Sequence, residues 1–281
     1  MKFQTITYEA GDGIASISLD RPDSANAQSM QLIEELDSAF DLAGADDAVR
    51  VVILRANGRH FSAGHDLKEL VVAGASDELR EIRSTPEGKY RHEKQMYLDK
   101  CRKIYDFPKP TIAAVQGSCV AAGMMLACMC DLIVASEDAE FQNPVLRMSG
   151  AAVELLVEPW ELGMRKAKEF LFTGEAIDAH EAWRLGMVNK VVAPDQLDGA
   201  VRDMAERICL VPPITAQMVK QSINQTFEFM GKGHSWNYHF MAHHFTHNTA
   251  AAANALAERE KKGSMREVIA DRDKGDTSAR S

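Results

Sequence analysis

The stretch TIAAVQGSCVAAGMMLACMCDLIVA, residues 111–135, decides the fold class. Thr111 to Val115 is a short continuous apolar run, the mark of a strand covered on both faces. Gln116-Gly117-Ser118 turns the chain. Val120 to Met129 is almost wholly apolar, with the small residues Ala121, Ala122 and Gly123 near its start. It reads as a buried helix whose first turn packs tightly. Asp131 to Ala135 is a further buried strand. Strand, turn, helix and strand in this order make a parallel β/α unit with a right-handed crossover.

Val51 to Leu54 is a buried strand of the same kind, followed by a glycine-bearing turn from Arg55 to Gly64. Upstream, Phe3 to Glu9 and Gly13 to Leu19 alternate with period two around Gly11-Asp12-Gly13, which reads as a hairpin. A Gly-x-Gly between two strands is a turn rather than a dinucleotide loop. Met30 to Gly44 places Leu32, Ile33, Leu36, Ala39, Phe40 and Ala43 on one helical face. Asp66 to Val72 starts a helix that breaks near Ala73-Gly74. Ser76 to Lys89 reads as polar and mobile. Tyr90 to Asp106 resumes helical character until Pro108 and Pro110 stop it. Glu161 to Phe172, Asp178 to Leu185 and Asp195 to Leu210 are expected helices, the last with the stripe Leu197, Val201, Met204, Ala205 and Ile208. No strand is expected from Pro213 onward. The chain therefore divides into an α/β core, residues 1–195, and a helical C-terminal part, residues 196–281, with a frayed tail from about residue 271.

Composition narrows the function. The chain has 281 residues and a mass of 31.0 kDa, with 46% hydrophobic and 26% charged residues. That balance excludes a largely disordered chain. Lys and Arg number 32 against 41 Asp and Glu, a formal charge of -9, which argues against nucleic-acid binding. No apolar run approaches the roughly 20 residues that span a bilayer, so no membrane association is expected. Met1 to Ala10 lacks a basic lead-in and apolar core, so no signal peptide is expected. Cys101, Cys119, Cys128, Cys130 and Cys209 form no paired framework and read as buried thiols of a cytoplasmic protein. The fourteen methionines suit a core or a pocket for a flexible ligand.

Two places carry chemistry. Phe61-Ser62-Ala63-Gly64-His65-Asp66-Leu67-Lys68 follows a buried strand, and so does Gly117 to Gly123. In both, small residues run into a helix start, where backbone N–H groups are free to donate. Placed together, two such N–H groups would stabilise the oxyanion of a carbonyl or thioester. Placed apart, they are two tight turns.

In order and spacing, Ala25-Asn26-Ala27, the block from Phe61 to Leu70, Gly117 to Asp131, and Phe172-Thr173-Gly174-Glu175 to Val192 resemble the crotonase (enoyl-CoA hydratase/isomerase) family over roughly residues 3–270. The resemblance implies an α/β crotonase-like spiral of ββα repeats. It also implies C-terminal helices that build a homotrimer or homohexamer, an acyl-CoA substrate and no cofactor beyond that CoA. Carried over residue by residue, the oxyanion amides are those of His65 and Ala122, where the family usually has glycine at the second position. Ala63, Gly64, Asp66 and Leu67 meet CoA, Ala25 lies near it, and Lys68 approaches its phosphates or is a solvated lysine. The His65 contribution implied is its N–H rather than its imidazole.

The departures are as informative. Hydratases of this family use two glutamates to split water across a double bond, since one group must accept and another donate a proton. These positions fall on Met125 and Val145, so the resemblance does not carry the two-glutamate reaction. Glu154 is the candidate replacement acid or base. If buried among Ala151-Ala152-Val153 and Leu155-Leu156-Val157, its pKa should rise; otherwise it is a surface or interface glutamate. Glu158 and Glu161 are expected to be solvated or paired. His239, His243 and His247 share a helix face at metal-ligand spacing, yet no carboxylate or cysteine in the segment completes a site. A packing or interface role is expected and no metal. Trp160, Trp183 and Trp236 read as core or interface fillers. Met96, Met124, Met125 and Tyr97 are candidates for an acyl channel, with Met124 better suited to the core. Three activities fit: an enoyl-CoA hydratase or isomerase, another crotonase reaction such as thioester or C–C hydrolysis, and a non-catalytic CoA-ester binding protein.

Overall fold

A computed structural model describes residues 2–70, 76–148, 150–262 and 264–272. The expected hairpin forms from β1 (Ile6–Gly11) and β2 (Ile14–Leu19), paired antiparallel with Gly11 opposite Ile14. Every later pairing in the main sheet is parallel. Its order is β1-β2-β3-β4-β6-β9, with β3 Val51–Ala56, β4 Thr111–Val115, β6 Leu132–Ser136 and β9 Lys190–Val192. A second sheet stands apart from it, ordered β5-β7-β8 from Ser118–Val120, Glu140–Gln142 and Ile177–Asp178. This α/β arrangement of strand, short strand and helix is the crotonase-like spiral.

The main sheet is covered on both sides, which is why its parallel strands read as unbroken apolar runs. Helix α1 (Met30–Ala45) buries Leu32, Ile33, Leu36, Ala39, Phe40 and Ala43, the face its spacing marks out. Most of that face joins one core with Leu54, Ala113 and Val115. On the opposite side Ala200, Val201 and Ala205 pack on Val51, Ile53, Ile112 and Val134. They belong to a later helix, Leu197–Cys209.

Two helices, α2 (Leu67–Leu70) and α3 (Asp77–Ile82), flank residues 71–75, so the expected break near Ala73-Gly74 lies outside the described residues. Ser76 to Lys89, read as polar and mobile with no element assigned to it, carries helices. It holds α3 and the start of α4 (Pro86–Glu93). The Ser76 and Thr85 hydroxyls accept from the Leu79 and Gly88 amides, and Pro86 opens α4. The polar composition thus encodes two capped helices. A π-helical turn, Lys94–Asp99, then leads into α5 (Lys100–Tyr105).

The buried helix of the opening stretch is α6 (Ala122–Cys128). The helix expected over Glu161 to Phe172 is two, α7 (Glu158–Glu161) and α8 (Met164–Thr173), because Gly163 takes φ +74° between them. Then come α9 (Ala179–Leu185) and α10 (Leu197–Cys209), the helix already met on the sheet. From Pro213 the described residues are helical: α11 (Pro213–Phe229), α12 (Lys232–His247), α13 (Ala250–Glu260) and α14 (Met265–Arg272). Trp236 and Phe240 of α12 return to the main core. Most of the tail expected from residue 271 lies outside the described residues.

Candidate active site

Three loops are laced together at one end of the sheet. The Val120 amide donates to the Ser62 carbonyl at 2.9 Å, joining the segment after β3 to the segment after β4. The segment before α1 is tied in by Ala63 N–H to Ala25 O (2.9 Å), Gln28 N–H to Gly64 O (2.8 Å) and Asp66 N–H to Gln28 O (3.0 Å). Inside this lacing, Gln28 Nε2 donates to the Ala122 carbonyl at 3.0 Å. Asn26 is wholly buried, its Nδ2 donating to Asn57 O and His60 O.

Gly64 sets the spacing. Its φ is +87°, and a Cβ there would lie 2.8 Å from Val120 O and 3.3 Å from Ala122 N. A side chain at 64 would therefore drive the two segments apart. Among the described residues, the non-glycine positions with positive φ besides Asp12 in the hairpin are Ala25, Asn26, Ala121 and Ala152. The first three sit in this lacing and Ala152 precedes Glu154. Such backbone persists only where its surroundings over-determine it, and it clusters at functional sites.

The lacing leaves two N–H groups over. Gly64 O and Asp66 N–H are spent on Gln28, and Ala121 N–H on Gln142 O. Among the described residues neither His65 N–H nor Ala122 N–H has a hydrogen-bond partner. His65 and Ala121, the residue before Ala122, line a cavity of about 350 Å³ whose walls also include Ala63, Leu67, Val145 and Glu154. Behind His65 lies a second, narrow cavity of about 20 Å³, lined in part by Gln28, Met96, Tyr97 and Met125. Three of the four acyl-channel candidates thus share one cavity, while Met124 is wholly buried in the core. His65 belongs to both walls.

Glu154 is buried, and its Oε2 lies 3.0 Å from His65 Nε2. Burial pushes its carboxyl up, as expected from the apolar sequence around it. The charge and hydrogen bond of His65, with His243 behind it, outweigh that push and hold Glu154 below the usual carboxylate value. His243 shows why. Its Nδ1 must donate to the Ala152 carbonyl at 3.0 Å, while its Nε2 faces Glu93 Oε2 at 3.5 Å and Glu154 Oε1 at 4.0 Å. A ring between a carbonyl and two carboxylates is favoured in its charged form. Burial opposes that charge, but the two carboxylates prevail and its pKa is raised. Arg83 completes the chain at 3.0 Å from Glu93 Oε1.

Of the residues named from sequence, Ala63, His65, Leu67 and Glu154 share the cavity wall. Gly64 lies between two of them, and a Cβ on it would stand 3.3 Å from Ala122 N. Ala25 supports Ala63. Asp66 is committed elsewhere, paired with Arg21 at 2.9 Å and accepting from Lys68 N–H. Lys68 is exposed and lines neither cavity. Glu158, expected to be solvated or paired, is buried and accepts from Asn143 Nδ2 at 2.6 Å, and burial raises its pKa. Trp236 fills the core, whereas Trp183 is exposed.

Sequence reasoning missed Arg83, Lys89 and Glu93 on the cavity wall. Their signal was weak: Arg83 ends one capped polar helix, and Lys89 and Glu93 lie on the next, which Pro86 opens. The histidines of α12 pack against the chain's own loop at Ala152 and Val153. Glu93 supplies the carboxylate their own segment lacks, and one ligand atom each from Glu93, His243 and His247 lies within 4.8 Å of the others. Arg83 already pairs with Glu93, and Lys89 lines the same cavity. That positive surround opposes a cation there.

The family model for enoyl-CoA hydratase/isomerase matches residues 9–264. EchA13 of Mycobacterium tuberculosis, named as an enoyl-CoA hydratase, is 43% identical over 265 residues, covering 88% of this chain and 81% of its own. A Mycobacterium smegmatis crystal structure named for the same activity is 45% identical with a TM-score of 0.81, covering 90% of this chain and 96% of its own. An enoyl-CoA hydratase/isomerase structure from Xanthobacter autotrophicus Py2 is 31% identical with a TM-score of 0.88, covering 97% and 98%.

Proposed function

This chain belongs to the enoyl-CoA hydratase/isomerase family, and from that premise we propose that it polarises acyl-CoA thioesters on the N–H groups of His65 and Ala122, with both family glutamates replaced. The observation that supports this is that neither N–H has a partner among the described residues, while the Gly64 close approach packs residue 64 against Val120 and Ala122, and His65 and Ala121 share one cavity wall. Two such donors would hold the thioester oxygen as it becomes an enolate, and one donor is worth on the order of 10²–10³ in rate. Ala63, Gly64 and Leu67 would run along the CoA, with Ala25 behind them. Asp66 would hold the loop through Arg21 rather than touch the ligand. The enzyme would need no cofactor beyond the CoA of its substrate and would act as a cytoplasmic homotrimer or homohexamer.

Met125 and Val145 offer no proton to exchange. General acid–base help is worth roughly 10²–10⁴, so two-carboxylate hydration of crotonyl-CoA should be slow. Glu154 is the carboxylate that remains against the site. The test is crotonyl-CoA turnover by wild type, Glu154→Gln and the double variant Met125→Glu with Val145→Glu. The expected outcome is a low wild-type rate, a further fall in Glu154→Gln and a gain in the double variant. Wild-type turnover at the rate of an efficient hydratase, unchanged by Glu154→Gln, would overturn this assignment.

A further inference from the structure

One basic atom of His65, a residue on the cavity wall, remains unspent. His65 presents Nε2 to the Glu154 carboxylate at 3.0 Å. In the neutral ring that nitrogen carries the hydrogen and donates it, which leaves the lone pair on Nδ1. Nδ1 is buried and has no hydrogen-bond partner among the described residues. A buried acceptor without a partner is costly and calls for one that arrives with a ligand. Nδ1 is also separated from the residue's own N–H only by Cα, Cβ and Cγ. A thioester oxygen held on that N–H would place its α-carbon within a few bonds' reach of the same imidazole.

The ring is held on two sides, and its carboxylate partner is backed by a third segment. Its face lies against Tyr97 of the π-helical turn, with centroids 4.1 Å apart. Its Nε2 is held by Glu154 of the loop after β7. Behind Glu154, His243 of α12 stands at 4.0 Å, with Glu93 of α4 beyond it and Arg83 on Glu93. A carboxylate that fixes an imidazole tautomer and balances the imidazolium formed in the reaction is an efficient arrangement for proton transfer.

Resting on the reading that the thioester oxygen sits on the His65 and Ala122 amides, we infer that the His65 imidazole is the catalytic base and acid of this site, with Glu154 as its positioning residue. In the step, the substrate's α-C–H bond breaks and an N–H bond forms at Nδ1. The electron pair moves into the thioester carbonyl, whose oxygen becomes the enolate held by the two amides. The imidazolium keeps its Nε2–H on Glu154. Reversal returns a proton from Nδ1 to the α-carbon, so no co-reactant is needed. Glu154 is the weaker candidate for the transfer itself, since its Oε2 is engaged by His65 Nε2 at 3.0 Å.

The experiment is uptake of α-deuterium by butyryl-CoA in D₂O, followed by NMR as a function of pH, with butyryl-CoA affinity measured in parallel. The variants are His65→Ala, His65→Gln and Glu154→Gln. Each keeps the N–H at position 65, so the oxyanion donors survive, and His65→Gln carries the test should His65→Ala fail to fold. The expected result is exchange in wild type that rises with pH through one inflection. The His65 variants should lose it by about 10²–10⁴-fold with affinity kept within a few-fold, and added imidazole should restore part of the rate in His65→Ala. Glu154→Gln should slow exchange and move the inflection to lower pH. Wild-type exchange by the His65 variants, or survival of the same inflection in them, overturns the inference. Loss confined to Glu154→Gln assigns the proton to Glu154 and overturns the inference alone. Failure of the wild type to bind butyryl-CoA overturns the inference together with the acyl-CoA reading beneath it.

Discussion

Replacing Gly64 by alanine should cost both stability and activity, and the two losses have one geometric cause. The residue holds φ +87°, and its new Cβ would meet the Val120 carbonyl oxygen at 2.8 Å and the Ala122 nitrogen at 3.3 Å. The backbone conformation costs an alanine about 1–2 kcal/mol. Relieving the overlap costs roughly 1–3 kcal/mol more, because the nearest atom is backbone and cannot swing aside. Together these are about 2–5 kcal/mol, which for a chain of this size lowers the thermal midpoint by roughly 5–15 °C. Relief has to come from moving residues 64–65 away from residues 120–122, which separates the two unspent N–H groups. The activity lost should approach that of one oxyanion donor, on the order of 10²-fold or more in kcat/KM. Gly11→Ala is the control. Its Cβ would meet nothing within 4 Å and its φ is not positive, so stability should change by less than about 1 kcal/mol and activity not at all. Thermal unfolding and acyl-CoA kinetics on the three proteins make the comparison. A Gly64→Ala protein with the midpoint and rate of wild type would refute the close approach on which the site is built.

Two further outcomes follow from the packing. Leu210, Phe229, Tyr238 and Phe245 are each at least three-quarters exposed on the helices after β9, too much apolar surface for water to cover cheaply. Sedimentation at micromolar concentration should therefore show an assembly, and a 31.0 kDa species alone would contradict it. Burial holds His244 and His247 below the ordinary imidazole value of 6.5, at about 4 and about 3. The unfolded chain then binds protons first as pH falls through 6.5, so stability is lost from there downward. Glu93 and Glu154, lowered from 4.5, add to the loss as pH falls further. His243, raised from 6.5, works in the opposite sense and loses its contribution as pH rises. The thermal midpoint should fall between pH 6.5 and 4, and His247→Asn should fall less; equal slopes would refute the assignment.

Much of the fold was legible because burial writes itself into periodicity. The face of α1 and the parallel strands covered on both sides leave patterns that single residues cannot blur. The second sheet was not legible: β8 has two residues and β7 three, too few for any alternation. The split between α7 and α8 rests on Gly163 alone. At the site, Gly64 and the two loop ends were visible as small residues after buried strands. The partner of Glu154 was not. His65 lies 89 residues away in sequence, and the sign of the Glu154 shift depends on His243 from a third segment. Apolar neighbours correctly indicate burial, but the charges that decide the protonation state come from elsewhere in the chain.

The central claim is that two backbone N–H groups polarise a bound thioester. Isotope-edited infrared difference spectroscopy reads that polarisation directly, using crotonyl-CoA with ¹³C at the thioester carbonyl. The account predicts a bound carbonyl stretch at lower frequency than in free crotonyl-CoA. The shift should persist in His65→Ala, which keeps the amide, and shrink in Gly64→Ala, which displaces it. A bound carbonyl with the frequency of the free ester would contradict the account.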